Sequence, residues 1–112
     1  MFNTFIENLD PSDYKEYQID FTLLEEDEEI KPDFTISLDE ESESLGIEIE
    51  TTLKAPVRVN QNKGVQFWIK VDPDFQEDST FSEKHFAFIK CRINTTKSRI
   101  YERTARLIVR QL

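Results

Sequence analysis

Two glycines in 112 residues leave no room for the glycine-rich loops that cradle phosphate groups. One cysteine, Cys91, excludes an internal disulfide, so nothing in the chain demands an oxidising compartment. It alternates with Ile89 and Ile93 and reads as a small buried hydrophobe. No apolar run approaches the roughly 20 residues of a membrane-spanning helix. The opening Met1-Phe2-Asn3-Thr4-Phe5-Ile6 has no basic stretch ahead of an apolar one, so no secretory signal is expected, and the protein is expected to be made and used inside the cell or released only by lysis. Positive charge is also scarce. Fourteen Lys and Arg stand against 23 Asp and Glu, a formal charge of −9 that repels phosphate backbones and argues against a nucleic-acid partner.

What is present is a core and a period of two. Hydrophobic residues make up 38% of the chain and nine residues are Phe, enough to build one domain of ordinary size. Tyr17, Ile19, Phe21 and Leu23 alternate with polar neighbours, which predicts a half-buried strand. Phe34, Ile36 and Leu38 predict a second. Leu45, Ile47 and Ile49 predict a third, running on toward Leu53. Val57 and Val59 form a short element after Pro56, and Val65, Phe67, Ile69 and Val71 a fifth strand entered through an Asn62-Lys63-Gly64 turn. A long terminal hairpin follows: Phe86–Thr95, a turn at Thr96-Lys97-Ser98, then Arg99 through Arg110. Spacings of about 8–12 residues between such strands favour an all-β, immunoglobulin-like β-sandwich of about seven antiparallel strands.

Two segments stand apart from that pattern. Residues 1–13 mix Phe2, Phe5, Ile6 and Leu9 with polar residues and stop at Asp10-Pro11, so they are read as an N-terminal arm, with residues 14–112 as the single sandwich domain. The loop from Asp72 to Lys84 places Asp72, Asp74, Gln76, Asp78, Thr80 and Glu83 at the spacing of a calcium loop. Glu77 stands where that loop needs glycine, and strands rather than helices flank it. A solvated acidic loop is the simpler account.

No residue set suggests catalysis. His85 is the only histidine and no serine or cysteine is placed around it by the pattern, so a surface or capping role is expected. The carboxylates lie in runs that read as solvated loops, and no metal or cofactor site is expected. Alternation does leave aromatic residues over. Trp68, Phe86 and Phe88 should point away from the core of their strands, and such a group on an outer face marks a contact. Either the arm with Phe2, Phe5 and Ile6 covers it within the chain, or a partner does. Charge is polarised too, with acids crowded at Glu25–Glu29 and Asp39–Glu43, and Arg92, Arg99, Arg103, Arg106 and Arg110 late in the chain. Pairing within the monomer is the plain account; head-to-tail contact between copies is the alternative.

Several stretches taken together resemble small phage virion proteins of the fiber-tail adaptor type. These are Asp10-Pro11-Ser12-Asp13-Tyr14 and Tyr17–Phe21, the acidic turn Glu25–Ile30, Leu45-Gly46-Ile47, Val65–Ile69, and Ile93-Asn94-Thr95-Thr96-Lys97-Ser98-Arg99-Ile100-Tyr101-Glu102-Arg103. The likeness covers about residues 10 to 110. It departs where the family usually has glycine, at Ser98 and at Asp72-Pro73-Asp74. The resemblance implies a non-enzymatic, multi-copy tail component of the virion, assembled in the host cytoplasm, joining tail fibers to the tail through contacts with other phage structural proteins. A capsid decoration protein and a calcium-dependent binding domain are the alternatives.

Overall fold

The computed structural model describes residues 3–5 and 7–112, Asn3 by its backbone alone. Its strands are β1 (Asn3–Thr4), β2 (Lys15–Asp20), β3 (Thr35–Leu38), β4 (Ile47–Ile49), β5 (Val57–Val59), β6 (Gly64–Val71), β7 (His85–Asn94) and β8 (Ile100–Val109). They form two four-stranded sheets. The first has the order β1-β8-β7-β3; in the second β6 pairs with β2 on one side and with β4 and β5 on the other. Seven strands are antiparallel and β1 alone runs parallel to its neighbour β8. Reading β2, β6 and β4 as strands B, E and D, and β3, β7 and β8 as C, F and G, gives the immunoglobulin strand order. The fold is an all-β sandwich, as the alternation predicts.

The core forms where the inward faces meet. Val65, Phe67, Ile69 and Val71 of β6 lie opposite Ala87, Ile89, Cys91 and Ile93 of β7 and Ala105, Leu107 and Val109 of β8, all buried. Burial pushes the Cys91 thiol up to about 12, in keeping with its place as a core hydrophobe. The described part of the arm docks within the chain. Thr4 pairs with Arg106, the Phe5 N–H donates to the Arg106 carbonyl at 3.0 Å, and Leu9 is fully buried beside Val109.

The chain departs from simple alternation at its bends. β2 stops at Asp20, and a turn in which the Leu24 N–H donates to the Phe21 carbonyl shifts the phase by one residue. Leu24 is therefore buried, while Leu23, expected inside, is 40% exposed. The strand expected over Leu45–Leu53 is only Ile47–Ile49, and Leu53 is 83% exposed. Ahead of it lies a helix that alternation does not register, α1 (Glu40–Ser44), capped by Asp39 and carrying Glu40, Glu41 and Glu43 in its first turn. Gly46, at φ 79°, turns the chain out of α1 where a Cβ would lie 2.5 Å from the Phe75 ring.

The turn into β6 is Asn60-Gln61-Asn62-Lys63, its first three residues left-handed; it begins two residues earlier than expected, and Gly64 is already the first residue of β6. Ser98 is left-handed as well (φ 60°), which explains why glycine suits that position of the hairpin.

Candidate functional site

The outer face of the first sheet is built by the long β7–β8 hairpin. Register sets Phe86 opposite Ile108, Phe88 opposite Arg106, Lys90 opposite Thr104 and Arg92 opposite Glu102. These residues point outward because Ala87, Ile89, Cys91, Ala105 and Leu107 point in. Phe86 is 36% exposed, with the Arg106 guanidinium 4.7 Å and the Lys84 ammonium 5.8 Å from its ring centroid. Phe88 is half-buried, and its N–H donates to Asp39 Oδ1 at 2.9 Å. Lys90 and Arg92 are exposed and have no ion-pair partner among the described residues. The result is a cationic, aromatic face on a chain of net charge −9.

Trp68 does not belong to this face. It lies on β6, so it points from the outer side of the second sheet, and the expected single aromatic group is split between opposite surfaces. Alternation tells inside from outside on each strand but not which sheet a strand joins. Trp68 is covered within the chain by Tyr14, 5.0 Å away, and by Lys54, whose ammonium lies 3.7 Å from the ring centroid. The arm does not cover it through Phe5. That ring packs between the sheets, 4.9 Å from Tyr17 and 6.1 Å from Phe67. Phe2 and Ile6 lie outside the described residues.

The late arginines divide in the same way. Arg99 joins Lys97 in pairing with the early acids: Arg99 lies 3.2 Å from Glu25 and 3.3 Å from Glu28, while Lys97 meets Glu25 and, at 2.9 Å, Asp27. Lys63 donates to the carbonyls of Glu25, Glu26 and Glu28, so this acidic turn is wrapped around cations of its own chain. Glu28 is fully buried. Its carboxylate accepts from Thr95 Oγ1 at 2.6 Å, a bond that holds its carboxyl below the usual range against the opposing effect of burial. Arg99 is thus part of a scaffold, whereas Arg103 stays exposed beside the gap between β8 and β2, donating to the Glu102 carbonyl at 2.9 Å.

Sequence reasoning missed a buried polar chain at the other end. His85 is buried, not at the surface, with Nε2 2.8 Å from Ser42 Oγ, which donates to Asp39 Oδ1 at 2.7 Å. Because the serine proton goes to the carboxylate, the imidazole nitrogen must donate to Ser42. Serine in the middle, fully buried and facing a donor, is no activated nucleophile. Burial opposes ionisation of Asp39, yet bonds from the Phe88 N–H and from Ser42 hold its carboxyl below the ordinary range. The available signal was Asp39 ahead of an acidic first turn, a helix start.

In the Asp72–Glu83 loop, Asp72 accepts from the Asp74 N–H and Asp78 from the Thr80 N–H, capping two 3-10 turns at Pro73–Phe75 and Ser79–Ser82. Among the described residues no three His, Cys, Asp or Glu side chains come together as metal ligands. Asp72 and Asp78 act as caps, and Phe81 is fully buried in the core.

No family model, no curated protein and no solved structure matches the chain.

One buried carboxylate gives the fold a pH dependence. Glu50 is buried beside Lys70 at 2.6 Å, and it accepts from the N–H groups of Thr52 and Leu53 at 3.1 Å each. The Lys70 bond first, then the two backbone bonds, lower its pKa from 4.5 to about 2. A depressed folded pKa means that the stabilisation is complete above pH 4.5 and is lost as pH falls toward 2. Melting followed by circular dichroism should show a falling midpoint across that window. In Glu50→Gln the fall should be shallower, and an unchanged slope would remove Glu50 from the account.

Proposed function

We propose that this chain is a non-enzymatic assembly module of a phage particle, an adaptor that helps attach tail fibers to the tail. The observation that carries the reading is the outer face of β7 and β8, where Phe86 and Phe88 lie beside Lys90, Arg92 and Arg106 on an acidic protein. Aromatic and arginine side chains together are what contact surfaces favour, and unpaired cations at the surface steer an acidic partner into register. Support of a different kind comes from the resemblance of residues 10 to 110 to small virion proteins. A rigid sandwich would act passively, many copies adding weak contacts through symmetry.

The test is incorporation. Particles assembled with the double variant Lys90→Glu/Arg92→Glu should carry roughly tenfold less of the protein than wild type, or less still. Its circular dichroism should be unchanged, since both side chains are exposed. A wild-type protein absent from purified particles, or a variant that incorporates normally, would overturn the reading.

A further inference from the structure

The two sheets end side by side in strands whose outer edges pair with nothing described. β3 closes the first sheet and β4 the second. In an antiparallel ladder alternate residues turn their N–H and C=O groups toward the partner. The Asp39 N–H donates to the Phe88 carbonyl at 3.2 Å, so Ser37 and Thr35 also face β7, and Ile36 and Leu38 turn their backbone groups outward. On β4 the Glu50 N–H donates to the Trp68 carbonyl at 2.8 Å, so Glu48 faces β6, and Ile47 and Ile49 turn theirs outward. Both edges look into one cleft of about 550 Å³, lined by Ile36, Leu38, Ile47 and Ile49 with Glu43 and Glu48 at its rim.

Three features suit this cleft to a strand. β3, Thr-Ile-Ser-Leu, has no lysine, proline or bulge of the kind that protects an edge. Its apolar side chains Ile36 and Leu38 are only half-buried and would be sealed by an added strand. The walls are also fixed in place, by Asp39 tying α1 to β7 and by Glu50 holding the turn after β4. Charge then selects the occupant. Glu50 is answered by Lys70 at 2.6 Å, and Lys70 reaches Glu48 only at 4.0 Å, while Glu43 has no ion-pair partner among the described residues.

We propose that the cleft receives an extended basic segment of a partner protein, which adds to β3 as a further strand. Alternate apolar residues of that segment would lie on Ile36, Leu38 and Ile49, and its basic residues would reach Glu43 and Glu48. The proposal goes beyond the face of β7 and β8 and stands whether or not that face joins a virion.

A capped peptide with the sequence of residues 103–110, Arg-Thr-Ala-Arg-Leu-Ile-Val-Arg, supplies the needed alternation and serves as probe. Titrated into the full chain and followed by amide NMR, it should bind saturably and slow exchange of the Ile36 and Leu38 amides by roughly tenfold or more. Glu43→Lys/Glu48→Lys should weaken binding by roughly tenfold, whereas Glu26→Lys/Glu77→Lys, away from the cleft, should change it little. The idea is overturned by no saturable binding at millimolar peptide, by protection located elsewhere, or by equal weakening in the two variants. It is also overturned if a peptide with all three arginines changed to glutamate binds as well. Particle incorporation plays no part in these readouts, so failure here and failure of the adaptor reading are separable.

Discussion

Phe67→Ala should remove about 4 kcal/mol of stability, most of what holds a domain of this size together. Phe67 is fully buried at the middle of β6, the strand to which β2, β4 and β5 are all paired. Its ring centroid lies 6.4 Å from Tyr17 and 6.1 Å from Phe5, so truncation opens a cavity where both sheets and the arm meet. The midpoint of thermal unfolding should drop by about 20 °C. Phe86→Ala, which removes a ring of equal size from the surface, should cost about 1 kcal/mol or less. Equal losses in urea titrations of the two variants would refute the placement of Phe67 at the junction.

Asp39→Ala should cost about 3 kcal/mol. One carboxylate does three things: Oδ2 caps α1 through the Ser42 N–H at 3.2 Å, while Oδ1 accepts from Ser42 Oγ and from the Phe88 N–H. Removing it frees the helix start and leaves the Ser42–His85 pair with a hydroxyl proton that has lost its acceptor. Asp39→Asn keeps one oxygen and should cost about 1 kcal/mol. Amide exchange at Ser42 and Phe88 should accelerate in step with the loss. If the alanine variant unfolds within about 0.5 kcal/mol of wild type, the buried chain is not a structural tie.

The strands of this protein are legible because one residue in two must be apolar when a sheet has one wet face. That rule found β2, β3, β6, β7 and β8 and the inward set Val65, Phe67, Ile69, Val71, Ile89, Cys91 and Ile93. It failed at Leu23, where a turn moved the phase, and at Leu53, beyond a strand of three residues. The helix at Glu40–Ser44 escaped it because five polar residues have no apolar period; only the cap betrays them. His85 escaped for a different reason. Its partners Ser42 and Asp39 lie more than forty residues away, and no local rule predicts a bond of that span.

The outward aromatics show the same division. That Trp68, Phe86 and Phe88 point outward follows from their neighbours along the chain, since side chains must alternate across a pleated strand. Whether they share a surface depends on which strands pair, and pairing is settled by how both sheets bury their apolar faces at once. Composition and period alone therefore determined a sandwich with a sound core and outward aromatics. Tertiary packing decided the rest: it set Trp68 and Phe86 on opposite faces, turned Phe5 inward, and gave Arg99 to the acidic turn. It also brought the open edges of β3 and β4 to one cleft. Those outcomes depend on distances between segments far apart in the chain, and local periodicity carries no information about them.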